Sequence, residues 1–271
     1  MSDEFSRKRS EQLVRLYATL RNELDAMPNA GRWMPYRWWS LPDPLGIRWM
    51  AYSEMLGEYA TELANSINDL THHVHRLRAW SRIISPLTNE EKVEAAHEFI
   101  NPLGTAALGL PYVIKSRFAF AAAYLSHQAN KAKDLENWKD EFPDKRALYL
   151  NDIEPLCRRW KKFRSFKMKV EPIVGKALSE GSNDFRNAYN HRFSSRLVLG
   201  MTGMVEREVT ESGTVRYAFG GKDALDLKRV SNLLEKERDQ CYLAFEGFQQ
   251  LVAEQTTAIE DFEVAEEASK A

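Results

Sequence analysis

The segment Phe185-Arg186-Asn187-Ala188-Tyr189-Asn190-His191-Arg192 sets an arginine and an asparagine ahead of a histidine in a short polar run. Histidine exchanges protons near neutral pH, and a guanidinium can hold a phosphate and stabilise charge that builds on it. RNA carries its own nucleophile in the 2′-hydroxyl, so a base, an acid and a charge stabiliser suffice to cut it without a metal. At roughly 100° per residue, Arg186 and His191 fall roughly 140° apart on a regular helix, whereas Asn187 and His191 share a face. Arg186 would stand in the first turn of that helix beside free backbone N–H groups, a setting that suits an anion. One histidine cannot be base and acid in the same concerted step. A second copy related by a two-fold axis would supply the missing group. The competing reading is an arginine and a histidine that merely decorate an amphipathic helix.

A second candidate lies just upstream. Between Arg158 and Lys169 stand Arg158, Arg159, Lys161, Lys162, Arg164, Lys167 and Lys169, interleaved with Trp160, Phe163 and Phe166. With Leu156, Trp160, Phe163 and Val170 turned inward, the charges would form a stripe able to track an RNA backbone, and an exposed aromatic could stack a base. The plain alternative is a solvated helix face. His72-His73-Val74-His75 has metal-like spacing but no cysteine nearby, and the reading favoured is an exposed basic helix end with Arg76 and Arg78. His97 and His127 stand alone, and Gly220-Gly221 lacks the context of a phosphate loop and reads as a turn.

The elements that must position these residues are mostly helices. Leu13, Leu16, Tyr17, Leu20 and Leu24 mark a first helix over 11–27, stopped by Pro28. Residues 32–49 hold Trp33, Trp38, Trp39 and Trp49 among three prolines and read as an ordered loop. A long helix is expected from about residue 44 to 84, and Thr88-Asn89-Glu90-Glu91 is a capped start. Pro102 and Pro111 should punctuate the next stretch, ahead of a third long helix over 112–138. A fourth is expected over 154–178, then a shorter one over 185–199 introduced by Ser182-Asn183-Asp184. Residues 204–219 alternate as a hairpin around Glu211-Ser212-Gly213-Thr214, and a final helix is expected over 223–262, with an acidic tail that frays.

The chain has 271 residues, 44% of them hydrophobic, with 38 basic and 39 acidic side chains, so any attraction to nucleic acid must be local. Cys157 and Cys241 lack disulfide or thiolate-metal spacing, which fits a reducing compartment. The opening residues have no apolar run behind their charges, and no apolar stretch is long enough to span a bilayer, so a soluble, cytoplasmic protein is expected.

The Arg-Asn-x-x-x-His pattern at Arg186, Asn187 and His191 resembles the HEPN superfamily. That resemblance implies an all-α, up-and-down helical bundle with the motif on a late helix, a homodimer with a shared cleft, and metal-independent endoribonuclease activity. It also implies, in many members, a toxin–antitoxin or phage-defence role with an antitoxin or regulatory protein partner; other members are non-catalytic RNA- or protein-binding subunits. By carry-over, Arg186 and His191 are the catalytic pair and Asn187 positions the phosphate. Arg158, Arg159, Lys161, Lys162, Arg164 and Arg192 are the expected RNA contacts. No metal, cofactor or membrane is called for. The expected organisation is one HEPN-like domain over 1–271: helix and Trp/Pro-rich loop to 43, bundle with one β-hairpin before the last long helix over 44–262, tail over 263–271.

Overall fold

Leu56, Ala60, Leu63, Ile67, Leu70, Val74 and Leu77 recur every three or four residues and all are buried, so Met50–Ile83 forms one helix with its apolar stripe inside. The computed structural model describes residues 2–28, 30–143 and 148–270. Its helices run α1 Ser2–Ala26, α2 Met50–Ile83, α3 Asn89–Ala95, α4 Asn101–Ala129, α5 Glu154–Cys157, α6 Phe163–Val170, α7 Lys176–Gly181 and α8 Phe185–His191. Four short strands follow, β1 Met201–Thr202, β2 Val205–Val209, β3 Val215–Phe219 and β4 Lys222–Asp223, and α9 spans Leu227–Lys270. The fold is therefore mostly helical, with an antiparallel hairpin ahead of the last long helix.

Two compact units share the chain. One is Met1–Gly31, Leu70–Gly109 and Lys176–Lys236; the other is Arg32–Asp69, Leu110–Gly175 and Glu237–Ala271. In the first unit Leu16, Leu20, Val74, Leu77 and Trp80 are buried, and Trp80 stacks on Phe99 with ring centres 5.3 Å apart. Arg9 bonds Glu94 at 2.7 Å and Glu98 at 2.6 Å, and Arg15 bonds Glu91. These ties, together with the Lys8–Glu4 pair at 2.8 Å, explain why α1 begins well before the apolar pattern does. Thr88 caps α3 as its sequence predicts: the Glu91 N–H donates to Thr88 Oγ1, and the Thr88 N–H donates back to Glu91 Oε2. Pro102 does not interrupt the next helix. A π-helical segment, Ala96–Ile100, widens the coil just before it and carries the Asn101 N–H to Ala96 O, so the missing donor of Pro102 is absorbed.

In the second unit Phe118, Phe166 and Phe248 meet with ring centres 5.9 to 6.2 Å apart, and Trp38 packs edge-on against Phe245 and Phe248. Helix α4 runs through Pro111 and stops at Ala129, so the helix expected over 112–138 starts and ends earlier. The tryptophan-rich loop is ordered. Asn68 holds it by accepting from the Met34 N–H at 2.7 Å and donating to Met34 O, while Arg32 bonds Glu246 at 2.6 Å. The acidic tail does not fray but continues α9 to Lys270, because Glu263 accepts from Trp49 Nε1 and Glu266 from Arg48, each at 2.7 Å.

The helix expected over 154–178 is broken into pieces. The Lys161 and Lys162 N–H groups donate to the carboxylate of Glu254 at 2.9 and 2.8 Å, and the Val174 N–H donates to Glu237 Oε2 at 2.7 Å. Pro172 has no N–H to continue the coil, and Val174 sits at a φ of 61°. Side chains far along the sequence thus take the donors that an unbroken helix would use.

Candidate functional site

Two successive left-handed residues, Asn183 and Asp184, reverse the chain between α7 and α8. Asparagine and aspartate are the side-chain types that tolerate this conformation best, and the Asp184 N–H closes the turn on Ser179 O at 2.6 Å. Asp184 stands at the start of α8 without capping it. Its carboxylate instead accepts from Asn187 Nδ2 at 2.8 Å, and Asn183 Nδ2 donates to Ser195 Oγ at 3.1 Å. Phe185 is buried and anchors the helix, with Tyr189 stacked on it at 6.0 Å.

The motif fills this helix completely. Arg186, His191 and Arg192 are exposed, Asn187 is half-buried, and His191 is the last helical residue. Among the described residues the His191 ring has no hydrogen-bond partner, so both of its nitrogens are open to a ligand. Helix α8 ends at His191 rather than near 199, because the following chain is pulled into extended backbone. The Leu225 N–H donates to Arg196 O at 2.8 Å and buried Leu197 pairs with Leu225. The helix is under two full turns long, and the Asp184 carboxylate stands immediately ahead of its first turn, so the setting for an anion at that end is weaker than the sequence suggests.

Beside α8 rises the hairpin. Val205, Arg207 and Val209 lie opposite Phe219, Tyr217 and Val215, which puts these six side chains on one face. The turn needs Gly213, at a φ of 80°, whose N–H donates to Thr210 O at 2.8 Å. The other face is polar and partly self-neutralised: Arg216 pairs with Glu208 at 2.7 Å, and Lys222 with Glu206 at 3.2 Å. A cleft of about 480 Å³ opens between α8 and the base of the hairpin, with Asn187, Arg192, Phe193, Arg207 and Lys222 in its walls. No known protein family, curated protein or solved structure matches this chain.

The structure therefore brings Asn187 and Arg192 together in one cleft, while Arg186 and His191 do not line it. Sequence reasoning missed Arg207, Lys222 and Phe193. The signal was present in the alternation of Val205, Arg207 and Val209, which places a cation in the middle of an apolar row.

The expected RNA contacts upstream fare differently. Arg158, Arg159, Lys161, Lys162 and Arg164 are exposed, but they belong to the other unit and share no single helix. Arg159 lies 3.5 Å from Asp134, and Lys167 pairs with Glu154 at 2.7 Å. Trp160, Phe163 and Phe166 are all buried, so no aromatic of this stretch is open for base stacking. His72 is exposed on α2 while His73 and His75 are half-buried. Among the described residues no three His, Cys, Asp or Glu side chains gather as a metal site would require. Nor is any described helix long and apolar enough to cross a membrane.

Proposed function

We propose that the protein is a metal-independent endoribonuclease of HEPN type that works as a homodimer. The observation that carries this reading is the exposed α8, which presents Arg186 and His191, the latter without a hydrogen-bond partner among the described residues, to solvent beside an open cleft. In the reaction the 2′-oxygen attacks the neighbouring phosphorus as its proton passes to a neutral His191. The bond to the 5′-oxygen breaks, and a protonated His191 from a second copy gives that oxygen its proton. Products are a 2′,3′-cyclic phosphate and a 5′-hydroxyl end. Arg186 offsets the charge that gathers on the phosphoryl oxygens. Asn187, tied to Asp184, positions the motif rather than moving protons. A toxin–antitoxin or phage-defence setting, with a regulatory protein partner, belongs to the same reading.

The test is digestion of transfer and total RNA in a chelator by wild type and His191→Ala. Wild type leaves cyclic phosphate ends, and the variant is slower by about 100-fold or more, the usual share of one proton-transfer group. Loss of all wild-type cleavage in chelator overturns the mechanism. One observation favours a second reading, a non-catalytic RNA-binding subunit: the cleft collects Arg192, Arg207 and Lys222 but neither Arg186 nor His191. In that case RNA binding survives His191→Ala and no cleavage is seen.

A further inference from the structure

Arg192 and Arg207 line the cleft from two different elements, the end of α8 and strand β2, and neither has a side-chain partner among the described residues. Lys222 joins them from β4, and the carboxylates in the walls, Asp184 and Glu206, are already engaged with Asn187 and Lys222. Two arginines lining one concavity, unpaired among the described residues, suit a phosphate, since each guanidinium can hold two phosphoryl oxygens in a planar fork.

Near them stand aromatic rings that are largely exposed. Phe193, in the cleft wall, is 90% exposed; on the hairpin face Phe219 is 84% and Tyr217 62% exposed, and Tyr217 lies directly opposite Arg207. A two-stranded ribbon is marginal by itself, and so many bare rings on one are costly unless a ligand covers them. Base stacking on open aromatic faces beside arginines that track a backbone is how single strands are held without sequence reading. An apolar protein partner would leave Arg207 buried and unpaired in the middle of its row, which the charge pattern disfavours.

We infer that the hairpin is the second wall of a binding site for single-stranded RNA, with Arg192 and Arg207 on phosphates and Phe193, Tyr217 and Phe219 stacking bases. This rests on the ribonuclease reading for the kind of ligand, and it adds a binding surface on which catalysis does not depend for its definition.

The experiment is fluorescence anisotropy of a labelled single-stranded RNA across a salt series, with wild type, R192A/R207A, Y217S/F219S, R216A and H191A, each checked for wild-type helicity by circular dichroism. The double arginine variant binds about tenfold or more weakly, and its salt slope falls by about 2, one for each phosphate that no longer meets an arginine. Y217S/F219S also weakens binding. R216A, whose charge is held by Glu208 on the other face, binds like wild type, and H191A is read for cleavage. Equal binding by wild type and R192A/R207A, or no binding by wild type, overturns the inference. So does a hairpin variant that dissociates a dimer while leaving RNA affinity unchanged, because the face would then belong to a second copy. Cleavage is read in parallel. Histidine-dependent cleavage with arginine-independent binding removes the cleft and keeps the nuclease; arginine-dependent binding with no cleavage does the reverse.

Discussion

At the scale of single residues, what distinguishes His191 from the two cysteines is exposure. Cys157 and Cys241 are both fully buried, and burial pushes the Cys157 thiol up to about 12, partly opposed by a hydrogen bond with Ser126, and raises that of Cys241 as well. A raised acid is favoured in its neutral form. The folded state is therefore most stable with these thiols protonated and loses that contribution only as the pH climbs through strongly alkaline values. Neither is a nucleophile at neutral pH. A thiol-titrating reagent should find almost nothing to modify in the native protein and both cysteines after denaturation. Rapid modification of a native cysteine would contradict the packing described for α5 and α9.

At the scale of elements, the start of α3 offers a local test. Thr88→Ala removes the oxygen that accepts the Glu91 N–H and should lower stability by about 1 kcal/mol, measured as a fall in the melting temperature. Glu91 contributes a pH dependence of its own. Its carboxyl is held below the ordinary 4.5, first by the Thr88 backbone N–H, then with help from Arg15. A depressed carboxylate stabilises the fold above 4.5 and ceases to do so as the pH falls through its lower folded value. Glu98 is depressed likewise, first by His97 and then by Arg9. Urea midpoints followed into acid should therefore drop for wild type and drop less for Glu91→Gln. Parallel acid limbs for the two proteins would show that this carboxylate plays no such part.

At the scale of the whole molecule, a net charge of -1 means that the proposed RNA binding must rest on local patches, so the expected affinity is modest and falls steeply with salt. The proposed mechanism divides its proton transfers between two copies. Sedimentation at the concentrations used for cleavage should return the mass of a dimer, and a strict monomer that still cuts RNA would remove the shared-histidine mechanism. The hairpin adds little to the core, since its strands are largely exposed. Joining Gly203 to Gly221 across a deletion should leave the melting temperature within a few degrees of wild type while abolishing RNA binding. A large loss of stability on that deletion would show that the ribbon supports the fold instead.

Much of this was legible in the residues themselves. Periods of three and four along α2 and α9 mark helices because a buried stripe must recur once per turn, and the Thr88 capping box and the Gly213 turn are decided within a few residues. The Arg186-to-His191 segment stands out by composition alone as the candidate for chemistry. What only the tertiary structure decided depended on partners far away in the chain. Glu237 and Glu254 take backbone donors and so break the run from 154 to 178; Arg48 and Trp49 hold the tail in α9; Leu225 draws the chain out of α8 just after His191. The cleft is of the same kind. Arg192 and Arg207 become neighbours only because the hairpin folds back beside α8, and local periodicity carries no information about which distant side chain will compete for a backbone hydrogen bond or share a concavity.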